Sequence, residues 1–196
     1  MAYFPSVFAL LTQSGAGAAV VRSRRAPRLT TTRIGIRLLL LVAIGATIGC
    51  DRVTKHIAAI TLSATQSRSF LADTFRLEYV ENAGAFLGLG ASWPVPVRTA
   101  LFGIGNGVLL LALTLAMRLR WPRPALFGLA LCVAGGASNL VDRLTYGKVI
   151  DFMNVGLGPL RTGIFNVADM AIMLGAGIIV ISGYRSVEPT RSISTR

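Results

Sequence analysis

Three carboxylates, Asp142, Asp151 and Asp169, fall between residues 135 and 170, in GGASNLVDRLTYGKVIDFMNVGLGPLRTGIFNVADM. Each stands where an apolar run meets or leaves a polar loop. A carboxylate in or beside a membrane-depth segment is costly to place, so each is a candidate functional group. Two of them close together at a water-accessible membrane face would suit general acid/base chemistry on a bound peptide. If Asp151 and Asp169 face each other, like-charge repulsion drives their titrations apart and leaves one proton between them. The ionised member then takes a proton from water, and the protonated member donates to the carbonyl and later to the leaving amine. Asn139, Arg143 and Asn166 can donate hydrogen bonds to hold such a pair and a substrate backbone where water is scarce. This chemistry needs no metal, no other cofactor and no covalent intermediate. A plainer reading stands beside it: Asp142 with Arg143, and Asp51 with Arg52 or Lys55, as ion pairs at helix ends. Asp169 resists that reading, because it lies inside the apolar FNVADMAIM with Asn166 three residues earlier on its face.

The elements that must position these groups are membrane spans. The chain is 53% hydrophobic and only 14% charged, against about a quarter charged in a soluble domain. Four apolar segments are expected to form one all-α bundle: about Ile34–Cys50, Thr99–Met117, Pro124–Val141 and Ile164–Tyr184. The first should continue past Asp51 to about Ala59, with Lys55 snorkelling outward. Gly135, Gly136, Ala137 and Ser138 would let a neighbouring helix approach closely. The outer loop 60–98 reads as short strands over Thr74–Val80, then a Gly/Ala-rich loop or half-helix over 82–94, with Trp93 as a headgroup-level anchor. Residues 1–32 read as a basic cytoplasmic extension lacking order, 33–184 as the membrane domain, and 185–196 as a basic cytoplasmic tail.

Charge placement sets orientation and excludes other classes. Twelve of the twenty basic residues flank the spans on one side with a single acid, Glu188. By the positive-inside rule that side, with both termini, is cytoplasmic, and the carboxylates converge on the outer face. Basic blocks placed this way argue against nucleic-acid binding, although the net charge is +12. Cys50 and Cys132 read as buried small hydrophobes, and the lone His56 as an interfacial polar residue rather than a metal ligand.

Four blocks in order carry a family resemblance: DRVTK at 51–55, ENAGAF at 81–86, GGASNLVDRLTYGKVIDF at 135–152 and FNVADM at 165–170. Over about residues 34–184 the chain resembles the lipoprotein signal peptidases, the bacterial type II signal peptidases. The resemblance implies that Asp151 and Asp169 are the catalytic aspartates, supported by Asn139, Asp142, Arg143 and Asn166. It implies that Asp51, Lys55, Asn82 and Gly84 line or shape the substrate site. It further implies four membrane helices with a small β-cradle and half-helix on the outer face of the bacterial inner membrane. Such enzymes cleave prolipoproteins just before a cysteine carrying diacylglycerol, and the cyclic peptide globomycin inhibits them. A monomer, in contact with membrane lipid, is the expected form.

The sequence departs from the family pattern twice. Arg52 stands where the first block usually has Gln, and Gly84-Ala85-Phe86 is one residue shorter than usual between Gly and Phe. Two readings of other classes compete. TIGC at 47–50 resembles a lipobox, which would make the chain itself a lipoprotein, but three further spans follow it. Alternatively, a non-catalytic membrane subunit or small transporter would use the same carboxylates as a proton or ion relay.

Overall fold

The computed structural model describes residues 29–62, 67–85 and 88–187. Most of the basic extension, Phe86 with its shortened spacing, and residues 188–196 of the tail lie outside these. Four helices are long and apolar enough to cross a membrane: Ile34–Leu62, Val95–Ala116, Arg123–Tyr146 and Val167–Tyr184. The first belongs to α1 (Leu29–Leu62), which takes in the last residues assigned to the extension and runs through Asp51 without a break. The second is compound: a short α2 (Val95–Arg98), a π-helical stretch (Thr99–Gly105) and α3 (Asn106–Ala116). It starts at Val95 rather than Thr99, because Pro94 and Pro96 fit the first turn of a helix.

Helix α4 (Arg123–Tyr146) continues five residues past the expected end at Val141 and stops at Gly147, whose φ of 71° closes the helix in the left-handed conformation. It packs against α1, α3 and α5 (Val167–Val187) and is the most buried of the four. Its contact with α5 depends on missing side chains. A Cβ on Gly135 would lie 2.3 Å from the Ala168 carbonyl oxygen, and one on Gly175 would lie 2.4 Å from that of Gly128. Gly135→Ala must therefore push the first turn of α5 away, at about 1–3 kcal/mol for such overpacking. Thermal unfolding in detergent should shift down. An unchanged midpoint would contradict the close approach.

One end of the bundle carries a four-stranded antiparallel sheet in the order β1-β2-β3-β4: β1 (Arg68–Phe70), β2 (Phe75–Asn82), β3 (Val149–Leu157) and β4 (Leu160–Arg161). Strand β2 falls where alternation placed it. Strand β3 corrects the expectation that Asp151 lies in a loop, and it moves the start of α5 from Ile164 to Val167. The sheet is seated on the C-terminal end of α1 by a small core of Ala58, Leu62 and Phe152, with Leu77, Tyr79, Met153 and Val167 around it. Register pairs Val80 with Asp151 and Asn82 with Val149, past an irregularity between Leu77 and Val80. Over 82–94 the described residues form turns with a 3₁₀ residue at Gly88, and Gly88 and Gly90 take positive φ. Trp93 stacks on Phe102 with ring centroids 6.1 Å apart. Cys50 is exposed on α1 rather than buried, and Cys132 is partly buried.

Candidate active site

The site forms where the C-terminal halves of α1 and α4, the start of α5 and the β2–β3 pair meet. Asn166 is its centre. It sits at the N-cap of α5, and its side-chain oxygen accepts from the Asp169 backbone N–H at 3.0 Å. Asp169 returns the bond, accepting from the Asn166 backbone N–H at 3.2 Å. This reciprocal pairing across three residues satisfies two helix-start donors and fixes the Asp169 side chain. The Asn166 amide also donates to Asp151 Oδ1 at 2.6 Å. Both candidate catalytic carboxylates are thus hydrogen-bonded to one residue.

Each carboxylate has a second tether. Asp169 Oδ1 accepts from Asn139 Nδ2 at 2.9 Å, and Asp151 Oδ2 accepts from Asn82 Nδ2 at 2.9 Å. Asn82 is itself held in a turn, where its Oδ1 accepts from the Gly84 N–H at 2.9 Å. Gly84 tolerates no Cβ, which would lie 2.5 Å from the Leu89 carbonyl oxygen. Its own carbonyl accepts from Arg143 at 2.9 Å. Asp151 is 3% exposed. Burial, reinforced by the negative charge of Asp169 and opposed by the Asn82 and Asn166 bonds, pushes its carboxyl up to about 6.

Behind the pair lies a charged core that corrects one expectation. Lys55 does not snorkel outward; it is 3% exposed. Its ammonium reaches Asn139 Oδ1, Asp51 Oδ2 and Asp142 Oδ2, each at 2.7 Å. Three donors meet three acceptors, the condition under which a buried ammonium is tolerated. The Asn139 amide is oriented by this contact, because its oxygen accepts from the Lys55 ammonium and its nitrogen then faces Asp169. Asp51 accepts from Ser138 at 2.7 Å and from the Ala168 N–H at 2.8 Å, tying α1 to α4 and to the first turn of α5. Arg52, the departure from the family pattern, forms an ion pair with Asp142. Asp142 is therefore shared by Lys55 and Arg52 rather than paired with its neighbour Arg143. All ten sequence-predicted site residues fall within this one network or on its edge.

Asp169, Asn139 and Arg143 open onto a cavity of ≈ 450 Å³ between the second span, α4 and α5. Its other walls are mostly apolar, including Leu101, Phe102, Leu109, Ile172 and Met173. Sequence reasoning missed Ser138 as a hydrogen-bond partner and Asn106 as a cavity residue. An asparagine inside an otherwise apolar span was the available signal for the second. A separate polar cavity of ≈ 420 Å³ lies behind the charged core, lined by Arg52, His56, Tyr79, Glu81 and Lys148 among others.

Two carboxylates sharing one asparagine, one of which, Asp169, lines a mostly apolar cavity at the end of membrane-length helices, suit hydrolysis of a peptide bond next to a lipid-like group. Comparison with known proteins agrees. Residues 38–185 match the family described as Signal peptidase (SPase) II. A lipoprotein signal peptidase of Desulforapulum autotrophicum is 36% identical over 151 residues, covering 76% of this chain and 92% of that protein. One from Burkholderia vietnamiensis is 34% identical over 161 residues, covering 81% and 90%. The fold is also that of a bacterial membrane enzyme solved by the in meso method at 2.3 Å resolution, with a TM-score of 0.69 at 22% identity over 81% of this chain and 94% of that one. This multi-pass membrane protein, with residues 38–185 matched, belongs to the signal peptidase II family of aspartic peptidases.

Proposed function

We propose that this chain removes the signal peptide from prolipoproteins, cleaving just before a cysteine that carries diacylglycerol, with Asp151 and Asp169 activating the attacking water. The observation that carries the assignment of roles is the joint tether of both carboxylates to Asn166 beside the cavity. One carboxylate is ionised and takes a proton from water as it attacks the scissile carbonyl. The other is protonated and donates to the carbonyl oxygen. As the tetrahedral intermediate collapses, the proton taken from water passes to the leaving amine, and the proton given to the carbonyl oxygen returns to the carboxylate that donated it. Asn139 and Asn166 hold the pair, while Arg143, fixed on the Gly84 carbonyl, offers hydrogen bonds at the cavity wall. The charge asymmetry of the sequence supports an outer-face site with cytoplasmic termini in the bacterial inner membrane. The enzyme acts as a monomer in contact with membrane lipid, and globomycin occupies the same cavity.

A shared proton makes a pH prediction. Raising pH past the upper titration of the pair ionises both carboxylates and removes the donor. With Asp151 pushed up to about 6, kcat/KM should fall about tenfold per pH unit once the alkaline limb is reached. Rates on a diacylglyceryl prolipopeptide across neutral pH test this. A rate that stays level far into alkaline solution would contradict proton sharing by the pair.

A further inference from the structure

Asn106 lines the catalytic cavity, yet none of the contacts that hold the aspartates uses it. It lies within a span whose mean hydropathy is 1.9, where an amide is expensive to keep. The π-helical stretch Thr99–Gly105 ends immediately before it. Such wide turns are rare, re-aim the side chains around them and frequently mark functional sites. Here the cavity receives Phe102 one turn above Asn106 and Leu109 one turn below. Among the described residues the Asn106 amide makes a single hydrogen bond, to the Gly136 carbonyl at 3.5 Å. That distance is at the limit of a hydrogen bond, and it leaves a second N–H to spend.

Depth along α4 gives this donor a purpose. Gly136 lies three residues before Asn139, the residue that holds Asp169, so Asn106 sits about 4.5 Å deeper in the membrane than that contact. A lipid attached to the residue just after the scissile bond passes from its polar glycerol to its acyl chains at about this depth. The cavity wall there is Leu101, Phe102, Leu109, Ile172 and Met173, which suits the chains but leaves their ester carbonyls without a partner.

We infer that Asn106 is a specificity-determining residue whose side-chain amide donates a hydrogen bond to an ester carbonyl of the substrate's diacylglyceryl group. This rests on the lipoprotein-processing reading above and adds the contact that reads the lipid linkage. Helix–helix adhesion through Gly136 would be indifferent to that linkage, which separates the two roles. The test compares a diacylglyceryl prolipopeptide with its dialkyl ether analogue, identical except for the missing carbonyls, as substrates for the full chain in detergent.

For the wild type, KM for the ether should exceed KM for the ester by about tenfold, one hydrogen bond's worth, with kcat little changed. In Asn106→Leu the two KM values should converge, and Asn106→Gln, which keeps a donor, should restore part of the gap. A wild type that cleaves both substrates with equal KM overturns the inference, whether or not Asn106→Leu folds. So does an Asn106→Leu enzyme that keeps the full ester preference. A wild type that cleaves neither substrate instead sinks the functional reading on which the inference rests.

Discussion

Lys55→Met should cost about 3–5 kcal/mol of stability, because it strands the buried Asp51 without a cation and leaves Asp142 with Arg52 alone. Asp51 is 0% exposed and Asp142 is 2% exposed, so neither can recover its solvation from water. Methionine matches the length of the lysine stem, so the loss is electrostatic rather than steric. Arg52 can still neutralise Asp142, but Asp51 keeps only Ser138 and the Ala168 N–H. The remaining acidic charge also sits behind Asn139, whose amide then lacks the contact that directs it at Asp169. Activity should fall with stability. Thermal unfolding in detergent, read beside the cleavage rate, checks this. A Lys55→Met protein as stable and active as the wild type would mean that the buried cluster is not charged as drawn. Adding Asp51→Asn to Lys55→Met should recover part of the stability, since it removes the stranded charge.

The larger kinetic effect belongs to the aspartates. Asp151→Asn and Asp169→Asn should each lower kcat roughly 10³-fold or more, because neither amide can take a proton from water or donate one to the leaving amine. Stability should not follow. The folded-state titration of Asp151 is raised to about 6, so its ionised form is disfavoured in the fold. The sign is that of a group binding its proton more tightly when folded: the cost is absent below the unfolded value, about 4, and complete above about 6. At neutral pH that cost is about 3 kcal/mol. Asparagine removes it at the expense of about one imperfect hydrogen bond to Asn82 or Asn166, worth about 1 kcal/mol. Asp151→Asn should therefore unfold no earlier than the wild type near neutral pH, and any advantage should shrink in acid. A variant that is both inactive and far less stable would point to a structural role instead.

Much of the site was legible because its residues are polar groups in apolar company. Asp169, Asn166 and Asn139 stand out for that reason, and the helices that present them follow from span length. The network joining them was less legible. Lys55 at the end of an apolar run reads as a snorkelling residue; its burial is tolerated because α1–α4 packing adds Asn139 and Asp142 to the acceptor that Asp51 supplies on its own helix. Strand β3 was hidden because VIDFMNVGL is partly apolar and buried on both faces in its first half, so it carries no clean alternation. Its pairing with β2 is a long-range fact that local propensity does not encode. The π-helical turn before Asn106 leaves no sequence signature, since one extra residue per turn hardly alters an all-apolar pattern.

The most direct measurement of the central claim is mass spectrometry of the products from a diacylglyceryl prolipopeptide. Wild type, Asp151→Asn and Asp169→Asn are compared at matched folded concentration. The account predicts that the wild type alone releases the signal peptide, leaving the diacylglyceryl cysteine as the new N-terminus, and that both variants leave the substrate intact. Cleavage by either variant at the wild-type rate, or a wild-type cut at another bond, would contradict it.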